Sequence, residues 1–131
     1  WDVSDITDMK QLFKDLDTIN ANISSWNTSG VTTMEDMFRD ANSANPNMDG
    51  WSFSNIQNMQ GMFEEIDIGT VSYSDLLIQL GELAEQEDLN PDVSLGGGYA
   101  TYNVLGSDAR ETLEALGWLI TDEGPAGGTD D

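Results

Sequence analysis

Acidic side chains recur at a fixed spacing and are the residues of this chain best suited to chemistry. Asp15, Asp40 and Glu65 stand 25 residues apart, and a second column two residues later contains Asp17 and Asp67. If the columns stack as neighbouring strands do, at about 4.8 Å, their carboxylates repel one another unless a cation or solvent intervenes. Hard cations such as calcium bind several carboxylate and carbonyl oxygens together. The sequence therefore predicts either a calcium site at these five residues or a solvated acidic ridge.

The other residues that could do chemistry form no catalytic set. The chain has no histidine and no cysteine, which removes the commonest general base, thiolate nucleophiles and disulfides. Ser4, Ser29 and Ser54 form another column, but without a base they are better suited to bonding the backbone. Glycoside hydrolysis needs only two carboxylates, and among 25 acidic residues some pair always lies at a suitable distance. We therefore predict a protein that is not an enzyme and has no cofactor, apart from the calcium considered above.

These columns belong to a repeat of 25 residues. Trp1, Trp26 and Trp51 mark the starts of three units. The apolar columns in the same register are Ile6/Val31/Ile56, Met9/Met34/Met59, Leu12/Met37/Met62, Phe13/Phe38/Phe63 and Leu16/Ala41/Ile66. A fixed period of this length indicates stacked units that bury a continuous core. We therefore expect the apolar columns, the tryptophans included, to lie in the core.

Each unit also has a pattern typical of a short helix. Met34, Met37, Phe38 and Ala41 recur at i, i+3, i+4 and i+7, which places them on one helical face. Short extended segments lead into the tryptophans of the second and third units. One strand and one helix per unit predict an α/β solenoid of the leucine-rich-repeat type, with short parallel strands on one face and short helices on the other.

The repeat decays near residue 70, and the following sequence predicts a cap. Residues 72–88 have an amphipathic helical pattern, residues 93–102 read as two extended pieces around a glycine turn, and residues 107–117 read as a last helix. An atypical terminal unit of this kind covers the open end of a stacked core.

One domain is therefore predicted over residues 1–122. It consists of units 1–25, 26–50 and 51–75 and a C-terminal α/β cap over 76–122. Residues 123–131 are predicted to be a flexible acidic tail or linker.

The repeat resembles that of the BspA-like leucine-rich-repeat surface proteins. The pattern Trp-x-x-Ser-x-Val-x-x-Met-x-x-Met-Phe begins at Trp26, and Asn20, Ile23 and Ser24 match the segment that joins units in that family. The C-terminal stretch from "YSDLLIQL" to "ITDEG" is similar as well. Members of that family look like secreted or surface-anchored proteins used in adhesion. The resemblance implies a non-catalytic, secreted or cell-surface module that binds a protein or a glycan.

The charge balance limits the class of partner. The chain carries 25 acidic and 4 basic residues, a net charge of −21. Such a surface repels nucleic-acid phosphates and anionic lipid headgroups, and no apolar run reaches the roughly 20 residues of a membrane span. We therefore expect neither nucleic-acid binding nor membrane insertion.

The sequence leaves a second function open. Trp1 begins on a repeat column, so we expect the N-terminal end of the stack to expose a strand edge and apolar surface. Neighbouring copies could pack there, which would make the chain a structural spacer or a self-assembling unit of a longer extracellular protein. An exposed patch on a side face favours adhesion, whereas a patch at the end of the stack favours assembly.

Overall fold

Two helices and two short strands follow the repeats. The computed structural model describes residues 2–16, 23–41, 48 and 50–126. Its elements are helix α1 (Thr70–Glu85), strand β1 (Ser94–Gly96), helix α2 (Val104–Ala115) and strand β2 (Leu119–Thr121). The helices pack against each other, and the strands pair in parallel. Within the described ranges, no helix is long and apolar enough to cross a membrane.

The repeat units contain turns where the sequence predicts short helices, so that prediction is wrong for the described residues. In the second unit the N–H groups of Met37, Arg39 and Ala41 each donate to the carbonyl three residues earlier, at 3.2, 3.2 and 3.1 Å. The N–H groups of the alternate residues Asp36, Phe38 and Asp40 donate to carbonyls of the next unit instead. This alternation cannot coexist with the continuous bonding of each N–H to the carbonyl four residues earlier in an α-helix.

Left-handed residues at fixed positions allow this series of turns. The backbone φ is +56° at Asp36 and +61° at Asp40. The two left-handed columns are Gln11/Asp36/Gly61 and Asp15/Asp40/Glu65. A β-turn with positive φ at its third residue favours glycine, and aspartate tolerates that conformation better than most residues. The acidic column of the predicted cation site thus has an origin in backbone geometry.

One parallel ladder runs through the repeats and into the cap. The coils, as we call the ladder-forming turns, are residues 8–16, 33–41 and 58–66. Asp8 bridges Thr33, and Thr33 bridges Asn58, in steps of 25 residues. Met59 then bridges Leu95 of β1, and the paired residues of β1 and β2 are again 25 apart. The cap strands therefore continue the ladder of the coils, while the wider assignment to a leucine-rich-repeat solenoid stays a prediction.

Stacked aromatic rings fill the core of the repeats. The Phe38 ring lies between Phe13 and Phe63, with centroid distances of 5.4 and 5.7 Å. Trp26 and Trp51 stack at 6.3 Å with their planes 1° apart, and both are buried. Their burial confirms the prediction that the tryptophan column belongs to the core, although its first member lies outside the described residues.

A buried carboxylate joins the elements of the cap. The Asp122 side chain is 1% exposed and accepts hydrogen bonds from Tyr73 Oη at 2.6 Å and Arg110 Nε at 3.0 Å. Arg110 also donates to Glu114 at 2.9 Å and to the Ile120 carbonyl at 3.1 Å. Helix α1, helix α2 and the chain after β2 are thereby tied together.

The cap extends beyond its predicted bounds at both ends. Helix α1 begins at Thr70, so the boundary predicted at residue 75 falls inside it. At the other end, the Tyr102 N–H donates to the Gly124 carbonyl at 3.2 Å, and the Ala126 N–H donates to the Tyr102 carbonyl at 2.8 Å. Residues 123–126, predicted to start a flexible tail, are therefore bonded to the cap, and residues 127–131 lie outside the described part of the chain.

Candidate binding groove

A groove of about 530 Å³ crosses the ladder. It is lined by the second and third coils and by both cap strands. The lining residues are Glu35, Asp36, Arg39, Gln60, Gly61, Glu64, Ser94, Leu95, Leu119, Ile120 and Thr121. Because repeats and cap both contribute, the groove exists only when the two parts stack.

Two glycines allow the second coil, the third coil and β1 to pack closely at this groove. Gly61 has φ +68°, and a Cβ there would collide with the Asp36 carboxylate. A Cβ on Gly96 would lie 2.5 Å from the Gly61 nitrogen. A larger residue at position 96 would push β1 away from the third coil, and at position 61 the left-handed φ and the Asp36 carboxylate of the second coil favour glycine.

The polar wall of the groove is mainly acidic. Glu35, Asp36 and Glu64 contribute three carboxylates, and Arg39 contributes one guanidinium, which leaves a net charge of −2. Arg39 lies 3.4 Å from Asp36 with its side chain 41% exposed, so solvent weakens that ion pair. Glu35 accepts a hydrogen bond from the Asn58 amide at 3.2 Å. This wall attracts cationic groups.

Strand β2 supplies an apolar wall. Leu119 is 71% exposed, and Ile120 beside it is partly buried. An aliphatic side chain at the margin of a groove offers apolar area that a partner could remove from water. The groove therefore combines carboxylates with an exposed aliphatic surface.

The chemistry available in the groove is binding by hydrogen bonds, charge and apolar contact. Ser94 contributes a hydroxyl, but the chain has no histidine that could activate it. The prediction that the protein is not an enzyme stays a prediction.

Two residues of the predicted cation site are paired with other side chains. Asp15 lies 3.9 Å from Lys14 Nζ. Glu65 accepts a hydrogen bond from Tyr99 Oη at 2.8 Å, and this bond is the main cause of the raised pKa of the Tyr99 phenol. Both carboxylates are exposed, so these contacts restrain the side chains only weakly.

The remaining members of that predicted site do not complete a metal centre. Asp67 accepts a hydrogen bond from the Gly69 N–H at 2.8 Å, Asp40 is partly buried in its turn, and Asp17 lies outside the described residues. Where the structure describes the chain, no three acidic side chains are grouped closely enough to hold a metal ion. Calcium binding therefore stays a prediction without a geometric site to support it.

The serine column stabilises turns through side chains. The hydroxyl and N–H of Ser4 both donate to Asp2, at 2.6 and 3.0 Å, and those of Ser29 both donate to Asn27, at 2.7 and 3.0 Å. The hydrogen bonds from Ser4 lower the pKa of the Asp2 carboxyl. The hydroxyls of Ser4 and Ser29 therefore donate to a side chain two residues earlier, and that of Ser54 donates to Asp88 at 2.9 Å, where the sequence predicts bonds to the backbone.

A family profile matches the repeats. The family described as Mycoplasma protein of unknown function, DUF285, matches residues 1–73. The chain belongs to this family. The DUF285 match ends in the first turn of α1 and thus covers the coils without β1, α2 and β2. Searches of the curated proteins and of the solved structures each give no significant match.

Sequence reasoning missed the groove because its two walls are distant in the chain. Arg39 and Glu64 share a repeat column, whereas Leu119 lies outside both the repeat and the DUF285 match. One signal was available: Ser94 and Leu119 keep the 25-residue step of the repeat. That step relates β2 to β1, but the bridge from Met59 to Leu95 spans 36 residues, so the repeat period does not place the cap strands beside the coils.

Proposed function

We propose that the protein is a non-catalytic binding module whose groove takes a cationic, partly apolar segment of a protein partner. The observation that carries this proposal is the presence, in one groove, of three carboxylates and the exposed Leu119. A lysine or arginine of the partner pairs with the carboxylates, while an adjacent aliphatic side chain covers Leu119. The net charge of −21 steers such a segment toward the surface.

A protein ligand is favoured over a glycan at this groove. A sugar ring presents a flat C–H face that packs best on an aromatic ring, and none of the described residues lining the groove is aromatic. An extended peptide has the alternating side chains and the backbone polar groups that suit a groove with one acidic and one aliphatic wall.

A secreted or cell-surface location fits this proposal. The DUF285 family is a family of surface repeat proteins, and the repeat columns resemble those of BspA-like surface proteins. The strong acidic surface suits a salty medium, in which its self-repulsion is screened. We propose on these grounds that the module is a surface protein that adheres through stacked, leucine-rich-repeat-like units.

A second candidate function is that of a structural spacer or assembling unit. The observation in its favour is the exposure of Ile6, Leu12 and Leu16 in the first unit. This candidate concerns the end of the stack and is compatible with ligand binding at the groove.

Fluorescence anisotropy with labelled peptides tests the groove. The probe alternates lysine and leucine over ten residues, and its comparisons replace lysine by glutamate or leucine by serine. The lysine–leucine peptide should bind most tightly, and Glu64→Gln or Leu119→Ser should weaken that binding about 3- to 10-fold. The matched controls are Glu85→Gln and Leu105→Ser, which change an acidic and an exposed aliphatic residue outside the groove. Equal losses in the groove and control variants would reject the proposal.

A further inference from the structure

The basic residues of the repeats occupy two outward columns of the coils. The chain has four basic residues against 25 acidic ones, and three of the four, Lys10, Lys14 and Arg39, belong to these columns. Lys10 is exposed, and the side chains of Lys14 and Arg39 are 35 and 41% exposed. Lys14 and Arg39 are also neighbours in one column, where like charges on adjacent strands repel each other. Most basic side chains of this acidic protein are thus presented on one surface.

This surface continues the groove. The members of the two columns in the second and third coils all line the groove, namely Glu35, Arg39, Gln60 and Glu64. The Asp15 N–H donates to the Arg39 carbonyl at 2.9 Å, which aligns the first coil with the second. Lys10 and Lys14 are therefore the next members of the same columns, just beyond the groove lining.

The chemical character of the surface changes along the stack. The outward columns of the first coil contribute the two lysines, whereas the second and third coils contribute the three carboxylates and one guanidinium of the groove. Strand β2 follows with Leu119, which is 71% exposed. Basic, acidic and aliphatic surfaces thus follow one another in the order in which the coils and the cap strands pair.

The two lysines are only weakly neutralised by the protein itself. Lys14 Nζ lies 3.9 Å from Asp15, whose side chain is 65% exposed, so solvent screens this pair. Lys10 forms no ion pair with any residue that the structure describes. Its column neighbour Glu35 accepts the Asn58 amide at 3.2 Å instead. Both ammonium groups are therefore available to a carboxylate of a partner.

We propose, on the basis of the function proposed for the groove, that the partner segment is bipolar and crosses the stack in one fixed charge order. Its acidic residue lies over Lys10 and Lys14, its basic residue lies over the groove carboxylates, and its aliphatic residue covers Leu119. The net charge of −21 repels free anions. The acidic residue is therefore held only as part of a segment whose basic residue is bound beside it.

The stacking also gives the spacing of the three residues. Neighbouring strands of a ladder lie about 4.8 Å apart, so the first coil is two steps, or about 10 Å, from the third. Strand β2 is again two steps from the third coil, through β1. An extended segment advances about 3.3 Å per residue, so it places its acidic, basic and aliphatic residues about three positions apart, at i, i+3 and i+6.

Fluorescence anisotropy with two labelled peptides of identical composition tests the order. One peptide has pairs of glutamate, lysine and leucine in that order, with a serine between the pairs, and the other has the glutamate and lysine pairs exchanged. Each is also made with its sequence reversed, since the segment can run in either direction, and the tighter binder of each pair is compared. The glutamate–lysine–leucine order should bind about 3- to 5-fold more tightly, the effect of an additional exposed ion pair.

Substitutions of the lysines assign this preference to the first coil. Lys10→Gln/Lys14→Gln should abolish it, whereas Lys10→Arg/Lys14→Arg retains both positive charges and should preserve it. Equal binding of the two orders by the original chain, or a preference that survives in Lys10→Gln/Lys14→Gln, would overturn the bipolar order. If the lysine–leucine peptide still binds in a manner that depends on Glu64 and Leu119, the function proposed for the groove stands without it. Loss of that dependence as well would remove both.

Discussion

Left-handed backbone positions decide how single residues of the coils affect stability. Gln11 has φ +60°, whereas the adjacent Lys10 has no positive φ, and both side chains are exposed. A non-glycine residue in the left-handed region costs about 1–2 kcal/mol, while glycine elsewhere in ordered structure costs about 0.5–1 kcal/mol relative to alanine. Substitution by glycine should therefore relieve a cost at Gln11 and add one at Lys10.

We therefore predict that Gln11→Gly keeps or raises the melting temperature, whereas Lys10→Gly lowers it by a few degrees. Thermal melts of the two variants beside the original chain measure the difference. A lower melting temperature for Gln11→Gly than for Lys10→Gly would show that the turn does not depend on left-handed φ at that column.

At the scale of elements, the cap depends on a phenol bound to a buried carboxylate. Burial of Tyr73, followed by its hydrogen bond to Asp122, raises the pKa of the phenol above its ordinary value. Since the folded pKa is raised, the stabilisation is fully present below about pH 10, where the unfolded phenol titrates. It is lost as the pH rises above that value toward the folded pKa, because the unfolded state then releases the proton more readily.

This gives a prediction for alkaline unfolding. Between about pH 9 and pH 11, the free energy of unfolding of the original chain should fall more steeply than that of Tyr73→Phe. Tyr99→Phe is the comparison: its hydrogen bond to Glu65 also raises the pKa of the phenol, but because that phenol is exposed, its loss should remove only a small part of the steep fall. Denaturant melts across this pH range provide the comparison, and identical pH profiles for the original chain and Tyr73→Phe would contradict the role assigned to the network.

The repeats and helix α2 show which structural features could be predicted from the sequence and which could not. The column spacing of Met34, Met37, Phe38 and Ala41 correctly predicts burial, because any stacked unit must cover those side chains. The same spacing wrongly predicts a helix. Backbone hydrogen bonds between coils compete with those within a coil, and the local sequence pattern contains no information on that competition. Helix α2 begins three residues before the predicted Ser107, since Asn103 accepts the Gly106 N–H at 3.0 Å as the N-cap.

The groove could not be predicted from local sequence patterns. Its acidic wall comes from neighbouring coils, but Leu119 joins it only through the pairing of β2 with β1. The acidic columns of the predicted cation site did not reveal the groove. Residues in one repeat column are expected to stack, but a shared column does not show that their side chains approach one another. Glu65, for example, contacts Tyr99 of the cap and lies outside the groove lining.

At the scale of the whole molecule, the charge of −21 dominates the response to ions. Self-repulsion extends over a Debye length of about 30 Å at 0.01 M salt and about 8 Å at physiological ionic strength. Removing salt should therefore lower the melting temperature. Because the described acidic side chains form no metal-binding group, calcium chloride, magnesium chloride and sodium chloride should raise the melting temperature equally at matched ionic strength.

Calcium would act differently if a specific site existed. A ligand at about 100 times its dissociation constant adds about 2.7 kcal/mol to the folded state, which is an increase of several degrees for a domain of this size. A rise seen with calcium alone, and lost in the Asp15→Asn/Asp40→Asn double variant, would contradict the expected equality and restore the calcium site at the acidic column.

The proposed function requires that the groove built by coils and cap strands together binds a cationic, partly apolar segment. An NMR titration of the ¹⁵N-labelled chain with the lysine–leucine peptide tests it most directly, because amide shifts report where the peptide lies. We expect the largest shifts at Gly61, Glu64 and Thr121, and we expect them to decrease in Leu119→Ser. Shifts concentrated on α1 and α2, or unchanged in Leu119→Ser, would contradict it.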